Sequence, residues 1–241
     1  MDFSSTTLLV LVILFLSTFV RSALGFGDAL IAMPLLTLVI GIQVATPLVA
    51  MGASTIAFTI LLKSWRKVEI KDAWRLVLFT WIGIPLGILF LKAAPEFLVK
   101  SLLGILIIGF GLYNLFIPTL PKLKTEKWAY LTGLVAGILG GAYNTNGPPV
   151  VIYGILRRWD PEKFRATLQG YFLPTGSAIL ITHGLAGMWT SQVVHYYLYS
   201  LPIIIGAVLV GEKVNQLIPQ GKFDKVIYGF LVLVGVLLIF R

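Results

Sequence analysis

Two long apolar segments of this chain are each broken near the middle by a cluster of glycine, proline and polar residues. Residues 6–40 are interrupted at Leu24-Gly25-Phe26-Gly27-Asp28, and residues 128–159 at Tyr143-Asn144-Thr145-Asn146-Gly147-Pro148-Pro149. Around them lie unbroken apolar runs at 46–62, 74–91, 97–117, 193–210 and 226–240, with a sixth at 167–185 softened by Gln169, Pro174 and His183. About 20 apolar residues are needed to cross a hydrocarbon core of about 30 Å. Only 12% of the 241 residues are charged and 58% are hydrophobic, too little polar surface to cover a soluble globule. The mean hydropathy of +0.93 agrees. The expected fold is an all-α integral membrane protein.

The net charge of +9 is therefore read as a topology signal and not as a nucleic-acid surface. The chain has no cysteine, which excludes disulfides, thiolate catalysis and thiolate metal sites. The apolar stretch near the N-terminus lacks the positive leader of a signal peptide, since Asp2 is its only early charge, so the segment is expected to stay in the fold.

The arms of the second interrupted segment, 128–142 and 150–159, would be about 22 Å and 15 Å long as helices, too short to cross singly. If both interrupted segments crossed once, the basic residues would divide nine against nine between the two sides. If both turn back as hairpins, fifteen gather on one side and three on the other. The second arrangement obeys the positive-inside rule and places both termini outside the cell membrane. Each half then holds a broken-helix hairpin followed by three spans. Residues 1–120 form the first repeat and 121–241 the second, entering from the opposite face. Short matches in the same order support this: Ala45-Thr46 with Ala166-Thr167, Ile84-Pro85 with Leu201-Pro202, Pro34 with Pro148. Inverted repeats with broken helices are a common plan for secondary transporters, whose site lies where the repeats meet.

The Leu24-Gly25-Phe26-Gly27 break followed by Ile31-Ala32-Met33-Pro34-Leu35-Leu36, the run from Gly133 through Gly137 to Gly141 leading into Gly147-Pro148-Pro149-Val150-Val151, and Phe164-Arg165-Ala166-Thr167 carry a family likeness. Over essentially its whole length the chain resembles the sulfite exporter TauE/SafE family of membrane permeases. The resemblance implies transport of sulfur-containing anions such as sulfite and sulfonates. The chain departs from the family's pattern at Asp28, where a small residue is frequent, and at Asn144-Thr145-Asn146, where glycines are common.

The residues themselves suit an anion site. Each break frees backbone N–H groups at the start of the returning half-helix, and orphan donors plus the helix dipole attract negative charge. Gly25, Phe26, Gly27 and Asp28 at the first break, and Asn144, Thr145, Asn146, Gly147 and Pro148 at the second, are the expected substrate contacts, with Gln169 and Arg21 added. The plainer alternative is that the polar tips cap their own helices. Arg21 and Asp28 read either as an ion pair or as an anion-attracting charge and a carrier of a coupling proton. In the second case Asp28→Asn abolishes pH-gradient-driven flux while sparing exchange. Ser54, Thr55, Tyr171 and Thr175 are further polar candidates. Gly133, Gly137 and Gly141, like Gly83 and Gly87, read as close helix packing. His183, His195 and the neighbouring tyrosines read as an interfacial belt, and Arg157, Arg158, Lys163 and Arg165 as a topology determinant.

The expected function is secondary transport of a small anion by alternating rearrangement of two repeats, with a passive anion channel as the alternative and a membrane-embedded enzyme behind it. The chain carries no nucleotide-binding loop and no His-Glu-x-x-His metal motif. No cofactor or metal is called for; the partners are the anion, the bilayer and a coupling proton or cation. The oligomeric state is not legible. Epitope tags at the two termini are expected to be accessible from the same, outer face of intact cells, and tags on opposite faces would overturn the hairpin parity.

Overall fold

The computed structural model describes residues 5–116, 123–159, 161–217, 232 and 236. Those residues form nine α-helices joined by short turns: α1 (Ser5–Leu24), α2 (Asp28–Ile40), α3 (Ile42–Ser64), α4 (Ile70–Ala93), α5 (Glu96–Phe116), α6 (Trp128–Tyr143), α7 (Gly147–Leu156), α8 (Pro161–Leu185) and α9 (Ser191–Leu217). Both helix breaks occur where the sequence places them. The expected span at 226–240 lies outside the described residues except for 232 and 236, which are helical.

Among the described residues, five helices are long and apolar enough to cross a membrane: Ser5–Ala23, Ile42–Lys67, Ala73–Ala93, Glu96–Tyr113 and Ser191–Asn215. The first differs from the sequence expectation, which treated it only as a hairpin arm. With 20 residues, α1 measures about 30 Å and matches the bilayer core by itself. By contrast α8, the softened sixth run, is a continuous helix of 25 residues but falls short in apolar character. Its Thr167, Gln169, Thr175 and His183 are buried in protein. The short α2 and α7 are enclosed by neighbours; in α2 every residue from Asp28 to Pro34 is buried.

Exchanging α1 and α2 with α6 and α7, α3 with α8, and α4 with α9 maps the packing onto itself. Helix α4 packs on α6 as α9 packs on α1, α3 meets α9 as α8 meets α4, and α3 and α8 meet each other. The closest seam is α4–α6, built from small residues. A Cβ on Gly133 would stand 2.7 Å from the Leu76 carbonyl oxygen, and one on Gly83 would stand 2.9 Å from the Gly137 Cα. Without a hydrophobic drive between helices in lipid, such backbone approach supplies the dispersion contacts that hold them. The α1–α9 seam repeats this more loosely, with Gly211 against Ser22 and Phe19.

Basic connections gather at one end of the bundle. Lys63 pairs with Glu212 at 2.8 Å, while Arg75 and Arg157 both pair with Glu126. The Leu123 N–H donates to the Leu156 carbonyl (2.9 Å), and the Arg157 guanidinium to the Leu123 carbonyl (3.0 Å), so the approach to α6 and the end of α7 lie side by side. At the opposite end Lys92 caps the Ala186 carbonyl. Exposed Phe97, Leu98, Leu102, Ile105 and Phe116 give α5 an apolar outer face.

The seam makes a contrast between glycines. Gly137→Ala, whose Cβ meets the Thr80 carbonyl, is expected to destabilise by about 1–3 kcal/mol through overpacking. Gly109→Ala, with nothing within 4 Å, is expected to gain about 0.5–1 kcal/mol of helix propensity. Unfolding midpoints in detergent measure both, and equal midpoints would contradict the seam.

Candidate functional site

At the first break, Gly25 (φ 94°) and Gly27 (φ 103°) adopt left-handed backbone that a Cβ would strain, and this lets α2 start afresh at Asp28. At the second break Asn144 takes the left-handed position (φ 52°), which its short polar side chain tolerates better than most. Prolines in the first turn of α7 then cost no hydrogen bond.

Arg21, one turn before the first break and 2% exposed, ties that break together. Its Nη1 donates to Asp28 Oδ2 at 2.8 Å and its Nη2 to Gln169 Oε1 at 2.9 Å. Gln169 in turn donates from Nε2 to the Gly25 carbonyl at 2.7 Å. The guanidinium also lies 4.7 Å from the centre of the Phe172 ring, a cation–π contact. An ion pair between Arg21 and Asp28 is thus present, and Gln169 braces it from α8.

Beyond it, Arg165 and Asn215 cap the end of α1. Arg165 donates to the Ser22 carbonyl (2.7 Å) and to Asn215 Oδ1 (3.1 Å), and Asn215 donates to the Ala23 carbonyl. Sequence reasoning assigned Arg165 to topology and missed Asn215 altogether. Their partners on α1 lie 143 and 192 residues away in the chain, and no local pattern reports them.

The second break is held by neutral groups. Asn146 Nδ2 donates to Thr175 Oγ1 (3.3 Å), and Thr175 donates to the Tyr171 carbonyl (2.8 Å). The Tyr171 hydroxyl lies 2.8 Å from Thr80 Oγ1, which donates to the Gly133 carbonyl at 3.0 Å. Thr145 Oγ1 donates to the Tyr143 carbonyl. His183, expected at the interface, is instead wholly buried, with Nε2 3.3 Å from the Gly141 carbonyl oxygen. Its face of α8 turns toward the end of α6, where that carbonyl needs a partner. His195 is exposed, as expected for a belt residue.

The two breaks meet across one cavity, lined by Arg21, Phe26, Gly27, Asp28, Asn144, Thr145, Asn146, Gly147 and Pro148 from the expected set. Gly25 and Gln169 do not line it; they are occupied with each other. The sequence missed Ala29, Leu30, Ala53, Phe172 and Gly176. Phe172 and Gly176 follow Gln169 by three and seven residues, one face of a helix, and that spacing was the available signal. Ala53 and Phe172–Gly176 fall at the middle of α3 and α8, so the cavity lies at mid-depth. About 20 Å³ is open to the centre of a water molecule, room for one or two waters. A larger hollow of about 370 Å³, lined by Val68, Ala73, Trp74, Val77, Leu78, Gly170 and Pro174, offers an anion no polar side chain but the indole edge.

Gln169→Leu orphans one Arg21 donor and the Gly25 carbonyl. It is expected to destabilise by about 1–3 kcal/mol per stranded group, read as a lowered unfolding midpoint. An unchanged midpoint would show that the brace carries no stability.

The sequence matches the pattern of a family described as "Sulfite exporter TauE/SafE" over residues 9–238. It is 23% identical over 226 residues to a "Probable sulfite/organosulfonate exporter TauE" of Cupriavidus necator, covering 90% of this chain and 88% of that one. It is 32% identical over 145 residues to a "Probable membrane transporter protein" of Haemophilus influenzae, covering 56% of each. No solved structure matches. With five apolar helices of spanning length and a family match over nearly all of its residues, the chain is a multi-pass membrane protein belonging to the sulfite exporter TauE/SafE family.

Proposed function

We propose that the chain is a secondary transporter of a small sulfur oxyanion or organosulfonate, working by alternating access around the cavity between the two breaks. The observation that carries this reading is the meeting of both half-helix starts, one from each half of the chain, in a single partly open cavity beside the middle of α3 and α8. Non-helical backbone at that depth is tolerated only where it is buried in protein or lines a wet cavity. As it stands the cavity admits one or two waters, so taking up a sulfur oxyanion requires it to widen, as alternating access would have it do.

The exchange symmetry of the helix packing supports an inverted repeat of residues 1–120 and 121–241. The bonding of Leu123 to Leu156 supports a re-entrant hairpin at the second break. The clustering of basic connections at one end supports an inner-membrane orientation with that end cytoplasmic and both termini outside. Asp28 is the carboxylate of the cavity lining, so coupling to a proton gradient would act through its exchange of Arg21 for a proton.

Purified protein in liposomes is expected to exchange labelled sulfite or a small sulfonate for the unlabelled anion, with saturation. Flux linear in concentration would identify a channel instead. In a melting assay, a ligand at about 100 times its dissociation constant stabilises by about 2.7 kcal/mol. Asn144→Gly, which keeps the left-handed backbone without strain, is expected to remove that shift without lowering the unliganded midpoint, because the Asn144 amide bonds to no described residue while its residue lines the cavity. No shift with any anion on the wild-type protein would remove the site from the proposal.

A further inference from the structure

We infer that the Arg21–Asp28 pair sets the cavity for a singly charged oxyanion, a sulfonate or a protonated oxyanion, and refuses a dianion of the same size. The inference rests on the anion site proposed above and names the charge state it takes. Arg21 is the cationic side chain of the lining, and its charge is already matched by Asp28 at 2.8 Å. What remains positive is the backbone. The lining includes residues 27–30 and 146–148, the starts of α2 and α7, each equivalent to roughly half a positive charge. Two such ends sum to about one unit, the complement of a monoanion.

The opposite ends of the broken helices do not cancel this. The α1 carbonyls of Ser22 and Ala23, and the Gly25 carbonyl beyond them, are engaged by Arg165, Asn215 and Gln169. The α6 carbonyls of Leu139, Gly140 and Gly141 are engaged by the Thr145 and Asn144 N–H groups and His183. None of those carbonyl-bearing residues lines the cavity. Arg165 does not line the cavity; its guanidinium is turned to the Ser22 carbonyl and Asn215, where it offsets the negative end of α1.

Side chains point to a ligand independently of the helix ends. Asn144 is 5% exposed, lines the cavity and leaves its amide without a bond to any described residue. Ser54, 8% exposed, leaves Oγ unpartnered, 2.8 Å from where a Cβ on the lining residue Gly176 would stand. Ser54 and Thr175 stand at the same offset of 121 residues as Ala45 and Ala166. Thr175 receives the Asn146 amide, whereas Ser54 has glycine at the matching place of the first break, Gly27, and no donor arrives. The Asn144 amide, buried and lining the cavity, is suited to the oxygens of a tetrahedral or pyramidal anion, while Ser54 Oγ lies behind Gly176 and does not itself line it.

Methanesulfonate, a fixed monoanion, and sulfate, a fixed dianion, test this by melting shift and by competition for uptake into liposomes. The wild type is expected to prefer methanesulfonate at least tenfold. Asp28→Asn keeps the shape but releases the Arg21 charge, and is expected to move the preference toward sulfate by at least tenfold. The double variant Arg21→Gln/Asp28→Asn restores the original charge and is expected to restore the original preference. Should Asp28→Asn fail to fold, methylphosphonate on the wild type replaces it. Its charge rises from one to two as pH passes through neutrality, and its affinity is expected to fall while that of methanesulfonate holds. Equal binding of the two fixed anions by the wild type, or a preference that neither Asp28→Asn nor methylphosphonate titration moves, overturns the charge assignment alone. Absence of binding by every anion overturns the proposed function with it.

Discussion

Backbone that leaves a helix inside a membrane must find partners there, and the arrangement of this protein follows from where it finds them. Two breaks strand carbonyls at the ends of α1 and α6 and N–H groups at the starts of α2 and α7. Side chains of α8 and α9, from far along the chain, close the carbonyl ends. Such groups are expensive to leave unpaired away from water, which explains why polar residues persist on α8 at the expense of its apolar character. Arg165, Gln169, Phe172 and Gly176 follow one another at helical spacing along the face that meets the first break and the cavity.

The two breaks are held by different chemistry. The first depends on a buried ion pair and an amide brace; the second depends on hydroxyl and amide groups in series from Asn146 to the Gly133 carbonyl. A buried charge pair is strongly directional and costly to split by removing one partner, about 3–5 kcal/mol. Neutral hydrogen bonds are each worth about 0.5–1.5 kcal/mol and exchange partners more readily. The first tip is therefore the stiffer and the second the more adaptable, although the helices around them follow one plan.

Much of this was legible in the sequence. The breaks, four of the five unbroken spans and the glycine seam all rest on local signals: a run of apolar residues, a proline at a helix start, glycines four apart. Nine of the eleven residues singled out from the sequence border one cavity. What stayed hidden depends on distant partners. Gln169 was legible as an interior amide but not as a brace, because Arg21 and Gly25 lie 148 and 144 residues away. His183 was misplaced because a histidine near a helix end looks interfacial until the neighbouring hairpin covers it. The full-length α1 was discounted because the break after it drew the whole segment into one reading.

The two small-residue seams join elements that the sequence order keeps apart. Helix α4 belongs to the first half of the chain and α6 to the second; α1 belongs to the first and α9 to the second. Each pair of half-helices is thereby joined through its longer arm to a helix of the opposite half. The interlocked glycines of the α4–α6 seam cannot slide without backbone collision, so in the alternating access proposed above that pair would travel as a unit. Such a rigid body would be a chimaera of both halves, with the remaining freedom where α3 and α8 meet beside the cavity, like the pivot of a pair of shears.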